Sequence, residues 1–461
     1  MKQSRGWVVT AALAVIAGQV AAATVGAVQS PGTTPPGSTP DAALYDAAFA
    51  RATEIAGGEQ IGGSINLLGV IGGEELDALQ STYEAFEDAT GISIEFEGTR
   101  DMAAVLQTRV DGGNPPDAIM TASIGQLRDL GAAGDMIALD DILDMATVSE
   151  EFDAGLLGLG TVDDTLYGVF NTAALKGLIY YNTAVYDGPL ENVNWDQMNE
   201  WQAARAAEGI TPWCIGLESG AATGWPATDW IEHFLLKQAS LDIYDQWWQG
   251  DLSWNAPEIK AAWEAFGAIA TDPTLVNGGP DAIVSTSFAS AANPLFSDPP
   301  GCLVSHQADF LAASLPSEVE AAVQGETFNV FMFPSIASVP ENAGHVEIAG
   351  GMLGIMNDTP QTRAFIEYSA SPEAQALIGA TGRWLAPNRA VDPAVYATPV
   401  SAFAADTLAN AVAVRFDASD LMPASMNEAF WRGVLDYVTG ADSLDSILER
   451  LDGVREEAYA D

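Results

Sequence analysis

The sequence predicts an α/β protein of two lobes, and three observations carry that prediction. Short apolar runs alternate with stretches of helical spacing over short connections, the pattern of a parallel sheet with covering helices. A chain of 461 residues exceeds the size at which a single core stops growing, so two cores are expected. At "YGVFNTAALKGLIYYN", residues 167–182, the alternation breaks into two β-rich segments in succession, which suits a route from one lobe to the other.

The elements follow in order. "SINLLGV" is a buried-type strand, and "EELDALQSTYEAFEDATG" places Leu76, Leu79, Tyr83 and Phe86 at helical spacing before Gly91 stops the turn. "ISIEFEGT" alternates as a strand, "DMAAVLQTRVDGG" is helical, "DAIMTAS" is a strand and "IGQLRDLGAAG" a short helix. Beyond residue 182, helices are expected at "WDQMNEWQAARAAEG", "DWIEHFLLKQAS" and "EIKAAWEAFGAIA", then strands at "FNVFMFPSI" and "VEIAGGMLGIM". Four further helical stretches close the chain: "TPQTRAFIEYSA", "SPEAQALIGATG", "SMNEAFWRGVLDYVTG" and "SLDSILERLDGVREEAYA".

The first residues read as an export signal, with Lys2 and Arg5 before the apolar "WVVTAALAVIAG" and the small residues of "QVAAATVGAVQS". That run is short for a bilayer span, and no later stretch reaches transmembrane length free of charge or turn residues, so no membrane insertion is expected. No Cys follows the run, which argues against a lipid anchor and for an exported, periplasmic or extracellular chain. "SPGTTPPGSTP" reads as an extended linker, and "DAALYDAAFARATEIAG" as an N-terminal helix. In an exported chain the two cysteines, Cys214 and Cys302, favour a disulfide over two separately buried thiols. A formal net charge of -46 argues against nucleic acid or an anionic membrane as partner. Because the acidic residues are dispersed along the chain, that charge reads as solubility or salt adaptation.

Several stretches, taken in order, resemble the extracellular solute-binding proteins of carbohydrate ABC importers, the family 1 cluster that binds maltose, α-glucosides and other oligosaccharides. They are "YEAFEDATGISIEFEGTRD", "GGNPPDAIM", "LKGLIYYN", "SPEAQALIGATGRWLAPN" and "FDASDLMPASMNEAFWRGVLDYVTG". The resemblance implies a two-lobed periplasmic-binding-protein fold with crossing segments as hinge and a sugar cleft between the lobes. It implies binding rather than catalysis, a sugar ligand, permease subunits as partners, a monomer, and neither cofactor nor metal. The organisation then expected is a signal peptide over 1–27 and a linker with the N-terminal helix over 28–60. The first lobe would take 61–170 with 335–382, and the second 171–334 with 383–461. The competing reading is an exported glycoside hydrolase using paired carboxylates, although no hydrolase motif is present and His233, His306 and His345 lack ligand spacing.

A sugar cleft needs aromatic faces beside planar polar groups. Trp225, in a Gly-rich segment before Pro226, stands outside any apolar periodicity and resembles a cleft Trp of the family. Trp213 and Trp230 read as core. Asp229 suits either a cap for a helix opening near Trp230 or a sugar contact, and Glu218 shares its loop. Arg100 and Asp101 close a strand at its carboxyl end, where a surface pair and a ligand contact are both open. Lys176 in the first crossover is either a ligand contact or a solvated strand charge. His306 and Gln307 follow the run tied by Cys302, while Gly350 and Gly351 allow backbone to approach a ligand or another strand. Trp384 falls at the expected third crossover. Trp431 matches a second-lobe aromatic but also has core spacing with Leu435. After "PPDAIM" the chain carries "TASIGQ", where the family often has a polar or aromatic cluster, and fewer hydroxyl contacts are expected from the first lobe.

Overall fold

The computed structural model describes residues 41–460, so the signal and the linker up to residue 40 lie outside the described residues. The first sheet runs in the order 93–98, 64–69, 118–121, 352–355, 169–170. Its first three strands are parallel, and the strand Met352–Ile355 joins antiparallel to 118–121 and to 169–170. The helices Glu74–Thr90 and Met102–Asp111 make the crossovers between the parallel strands, and Gly91 ends the former in the left-handed region at φ 69°. The helix Ala42–Ile55 packs on this lobe, against the helices Glu74–Thr90, Pro360–Ala370 and Pro372–Ala380.

The second sheet has the order 328–332, 178–182, 304–307, 213–214. Its core is a cluster of rings: Trp213 and Trp230 meet edge to face at 4.9 Å, and Phe430 packs on Trp254 and Trp263. Burying a Phe-sized side chain stabilises by roughly 2–3 kcal/mol. Packing of these rings contributes more burial to this lobe than its short strands do.

Between the two lies a third sheet, 413–416, 345–349, 174–175. The chain crosses there three times. It leaves the first sheet at 169–170, passes through 174–175 and enters the second at 178–182. It returns from 328–332 through 345–349 to 352–355. It crosses again near Leu385, which bridges to Ala173, and runs on through 413–416 into the helix Ala424–Thr439. The strand 345–349, continuous in sequence with 352–355, therefore belongs to a different sheet. Thr172 separates the two: a Cβ on Gly350 would meet its carbonyl, and Gly351 N–H donates to its Oγ1 at 2.9 Å. Cys214, in the strand 213–214, is joined as a disulfide to Cys302, two residues before the neighbouring strand Val304–Gln307, with Cα atoms 5.5 Å apart. Among the described residues no helix is long and apolar enough to cross a membrane.

Candidate functional site in the interlobe cleft

A cavity of about 260 Å³ opens between the lobes, in front of the third sheet. Eight of the twelve residues expected at a ligand line it: Arg100, Asp101, Lys176, Trp225, Gly350, Gly351, Trp384 and Trp431. Asp101 occupies the N-cap position of the helix Met102–Asp111 without making a capping bond, and so leaves its carboxylate at the rim. The aromatic wall is built around Trp225, whose ring lies 5.0 Å from Phe288 and 6.4 Å from Phe310. The Arg100 guanidinium sits over the Phe288 ring at 5.5 Å, and the Lys176 ammonium lies 4.9 Å from the Trp225 centroid.

Trp225 is not in a loop. It opens the helix Trp225–Gln238, with Pro226 in the first turn, where its missing N–H costs nothing. The N-cap is Gly224 at φ 117°, and a Cβ there would run into the Trp431 backbone. The tight approach brings Trp225 and Trp431 onto one wall. The earlier helix start also corrects the reading of Asp229, which lies inside the helix and caps nothing.

Asp229 instead serves Lys176, which is buried and is no solvated strand charge. The Lys176 ammonium donates to Asp229 Oδ1 at 2.8 Å and Oδ2 at 2.9 Å, and to Asp417 Oδ2 at 2.6 Å. Lys176 comes from the first crossing and Asp417 from the third, while Glu347 from the second stands behind them. One oxygen each of Asp229, Glu347 and Asp417 lies within 4.8 Å of the others, and the Lys176 ammonium pairs with two of the three, Asp229 and Asp417. Burial opposes charge on Lys176, but Asp229 and Asp417 outweigh it and raise its pKa well above the ordinary range. Burial likewise opposes charge on Asp417, and Lys176 prevails to hold it low. Asp229 is pushed by burial up to about 7. Burial raises Glu232, Glu347 and Asp420 well above the usual carboxylate range, with like charges adding to it. The cleft floor therefore pairs one ammonium with Asp417 and Asp229, and burial disfavours charge on the acids around them.

His306 and Gln307 are corrected as well: both are buried in the strand Val304–Gln307 and lie outside the cleft lining. The His306 ring is enclosed by Trp230 at 4.6 Å, His233 at 5.1 Å and Phe333 at 5.5 Å, and burial drives its pKa well below the usual imidazole value. Glu218 lies beside the cleft, in an adjoining compartment. The three polar residues of "TASIGQ" itself, Thr121, Ser123 and Gln126, all line the cavity, so the first lobe does present polar groups there. Asn427 also escaped the sequence reading. Asn427 and Trp431, one helical turn apart, both line the cavity, and Oδ1 of the former and Nε1 of the latter are buried atoms without a hydrogen-bond partner. The i, i+4 spacing from Trp431 could have pointed to Asn427.

Residues 72–376 match the family model for bacterial extracellular solute-binding proteins. The chain belongs to that family. This solute-binding protein is 34% identical over 381 residues to the osmoprotective compounds-binding protein GgtB of Synechocystis, covering 82% of this chain and 89% of that one. It is 33% identical over 400 residues to the alpha-glucosides-binding periplasmic protein AglE of Rhizobium meliloti, covering 83% and 85%. Among solved structures, a chitin oligosaccharide binding protein superposes with a TM-score of 0.72 at 17% identity, covering 86% of this chain and 99% of that one. RafE in complex with raffinose does so with a TM-score of 0.65 at 15% identity, covering 86% and 100%. These likenesses show the two-lobed fold.

Proposed function

We propose that this protein captures a neutral sugar, an α-glucoside or oligosaccharide, by lobe closure outside the cytoplasm, and delivers it to the permease of an ABC importer. The observation that carries the reading is the pair of unsatisfied atoms on one wall: Asn427 Oδ1, an acceptor, and Trp431 Nε1, a donor. A buried polar atom without a partner costs about 1–3 kcal/mol, and a hydroxylated ligand relieves both at once by donating to one and accepting from the other. Trp225, Phe288, Phe310 and Trp384 add rings for the C–H faces of a sugar. The name of AglE, an alpha-glucosides-binding periplasmic protein, supports the same class. Lobe closure draws on the differential contacts a ligand makes with both lobes at once.

The test is to mix the purified protein with maltose, trehalose, sucrose and longer glucosides, following tryptophan fluorescence and the sugars themselves. A saturable fluorescence change with the sugar recovered intact is expected. Hydrolysis products would instead establish the glycosidase reading, with cleft carboxylates such as Asp101 and Glu428 as its acids.

A further inference from the structure

The floor of the cleft holds more acid than base. Asp229, Glu347 and Asp417 converge within 4.8 Å of one another, and Lys176, the ammonium among them, bonds only to Asp229 and Asp417. Glu347 is wholly buried, and neither of its oxygens has a hydrogen-bond partner. His233 Nδ1 lies 3.4 Å from Glu347 Oε2, but it donates its proton to the Asp229 carbonyl at 2.5 Å. A buried carboxylate with neither donor nor cation is too costly to stay charged, so the cluster holds at least one proton.

No second cation comes from the elements packed around it. On the helix Trp225–Gln238, Glu232 is a further acid, accepting from Ala418 N–H at 2.6 Å, and burial lowers His233 to about 3. Lys237 turns away to the carbonyls of Ala343 and His345, and burial brings it down to about 8. Burial also lowers His306 on the strand Val304–Gln307 and His345 at the head of the second crossing. Tyr244, from the helix Leu241–Trp248, donates to the Phe416 carbonyl at 3.0 Å. Asp420, beyond the third crossing, is another acid that burial raises.

The cluster is built into the ligand site. Lys176, Asp417 and Asp420 line the cavity, so an open cleft lets solvent come up to the charges and a ligand displaces that solvent. The ligand has no free position at which to replace it. Both Asp229 oxygens are taken by Lys176, and Asp417 accepts from Lys176, from the Ser419 hydroxyl at 2.8 Å and from the Asp420 N–H at 3.1 Å. Removing solvent without adding hydrogen bonds disfavours the charged form of a carboxylate.

We propose that the cleft floor is a proton-binding site coupled to ligand capture: the Asp229, Glu347 and Asp417 cluster takes up a proton as an uncharged ligand covers Lys176 and Asp417. The proton comes from solvent and forms an O–H bond on one carboxylate of the cluster. This rests on the neutral-sugar reading above. Burial holds Asp229 up to about 7, so the exchange falls near neutral pH, and affinity declines as pH rises through that range.

Isothermal titration with maltose, trehalose and sucrose, in phosphate and in Tris, counts the protons, because the two buffers differ in ionisation enthalpy. About a third of a proton should be taken up per sugar bound at pH 7, and affinity should be about threefold to fivefold higher at pH 6 than at pH 8. Asp229→Asn cannot take the proton and should remove both effects, while Glu347→Gln, which deletes the surplus acid, should reduce them; thermal melts like the parent's show that each variant folds. A sugar that binds with no proton exchanged, or with one released, would overturn the coupling, as would uptake that persists in both variants. No heat with any of the sugars would overturn the sugar reading and the coupling with it, a different result from heat that ignores pH.

Discussion

Trp225 shows how a single side chain can serve the site without carrying the fold. It is half-buried, edge-to-face with Phe288, tilted against Phe310 and beneath the Lys176 ammonium, and it lines the cavity. Trp225→Ala is expected to weaken sugar affinity tenfold or more, about 1.4 kcal/mol or above, with the melting temperature of the free protein nearly unchanged. A large fall in melting temperature would assign the ring to the core instead. Lys176 is the opposite case. Lys176→Met strands Asp229 and Asp417 without their cation, and breaking a buried pair in this way costs about 3–5 kcal/mol. Urea unfolding at pH 7 reads that loss, which should shrink toward pH 5 as the stranded carboxylates take up protons. Asp309 titrates apart from that cluster: it is buried, its Oδ1 is unpartnered, and burial pushes its pKa up to about 8. A raised carboxylate holds a proton in the folded state that the unfolded chain has lost. Its contribution is complete below the unfolded value near 4 and is lost as pH rises to about 8. Asp309→Asn should therefore flatten the decline in stability between pH 6 and 8 by up to about 1.4 kcal/mol per pH unit, measured by urea unfolding in both proteins. Parallel curves would show that Asp309 is solvated.

At the scale of elements, the helix Ala424–Thr439 joins fold and function. Its inner face, Met426, Phe430 and Val434, is buried in the second-lobe core, while Asn427 and Trp431 one position round face the cleft. Trp431→Phe deletes the unpartnered N–H together with the five-membered ring and leaves one aromatic ring at the position, so sugar affinity should fall about fivefold or more by titration calorimetry. An unchanged affinity would mean that the indole makes no bond to the sugar. The same helix marks what sequence could reveal. Its core stripe was legible because apolar spacing at 3.6 residues depends on burial alone. The strand and helix order was legible for the same reason, and so were Trp213 and Trp230 as core. Asp229 and Lys176 were not legible as a pair, because they lie 53 residues apart and meet only where a crossing segment passes a helix face. His306 lacked any signal of its enclosure, since Trp230 and Phe333 come to it from a helix and a loop that sequence does not place together. The helix beginning at Trp225 was misread because Gly224 and Pro226 suggest a loop, although Pro in a first turn is equally good helix chemistry.

The whole molecule carries 63 acidic and 17 basic residues, a formal charge of -46, and the structure separates those charges into two kinds. The buried acids of the cleft floor are shielded from salt by the protein itself. The dispersed surface acids are not: pairs such as Arg363 with Asp358 and Lys260 with Asp445 are exposed, and most carboxylates have no cation available to them. Exposed ion pairs contribute at most about 1 kcal/mol each and weaken with salt, whereas net repulsion among unpaired like charges also weakens with salt. With so few basic residues the second effect wins, since self-repulsion of a highly charged surface destabilises the compact state. The melting temperature should therefore rise by several degrees as KCl goes from about 10 mM to about 500 mM, over which the Debye length falls from about 30 Å to under 10 Å. Lys176→Met separates the two kinds of charge in the same experiment: its deficit against the parent should stay nearly constant across the salt range, because the carboxylates it strands lie out of reach of mobile ions. A parent protein whose melting temperature falls with salt would show that the few surface pairs outweigh the repulsion, and that the acidic surface is not a salt-tuned one.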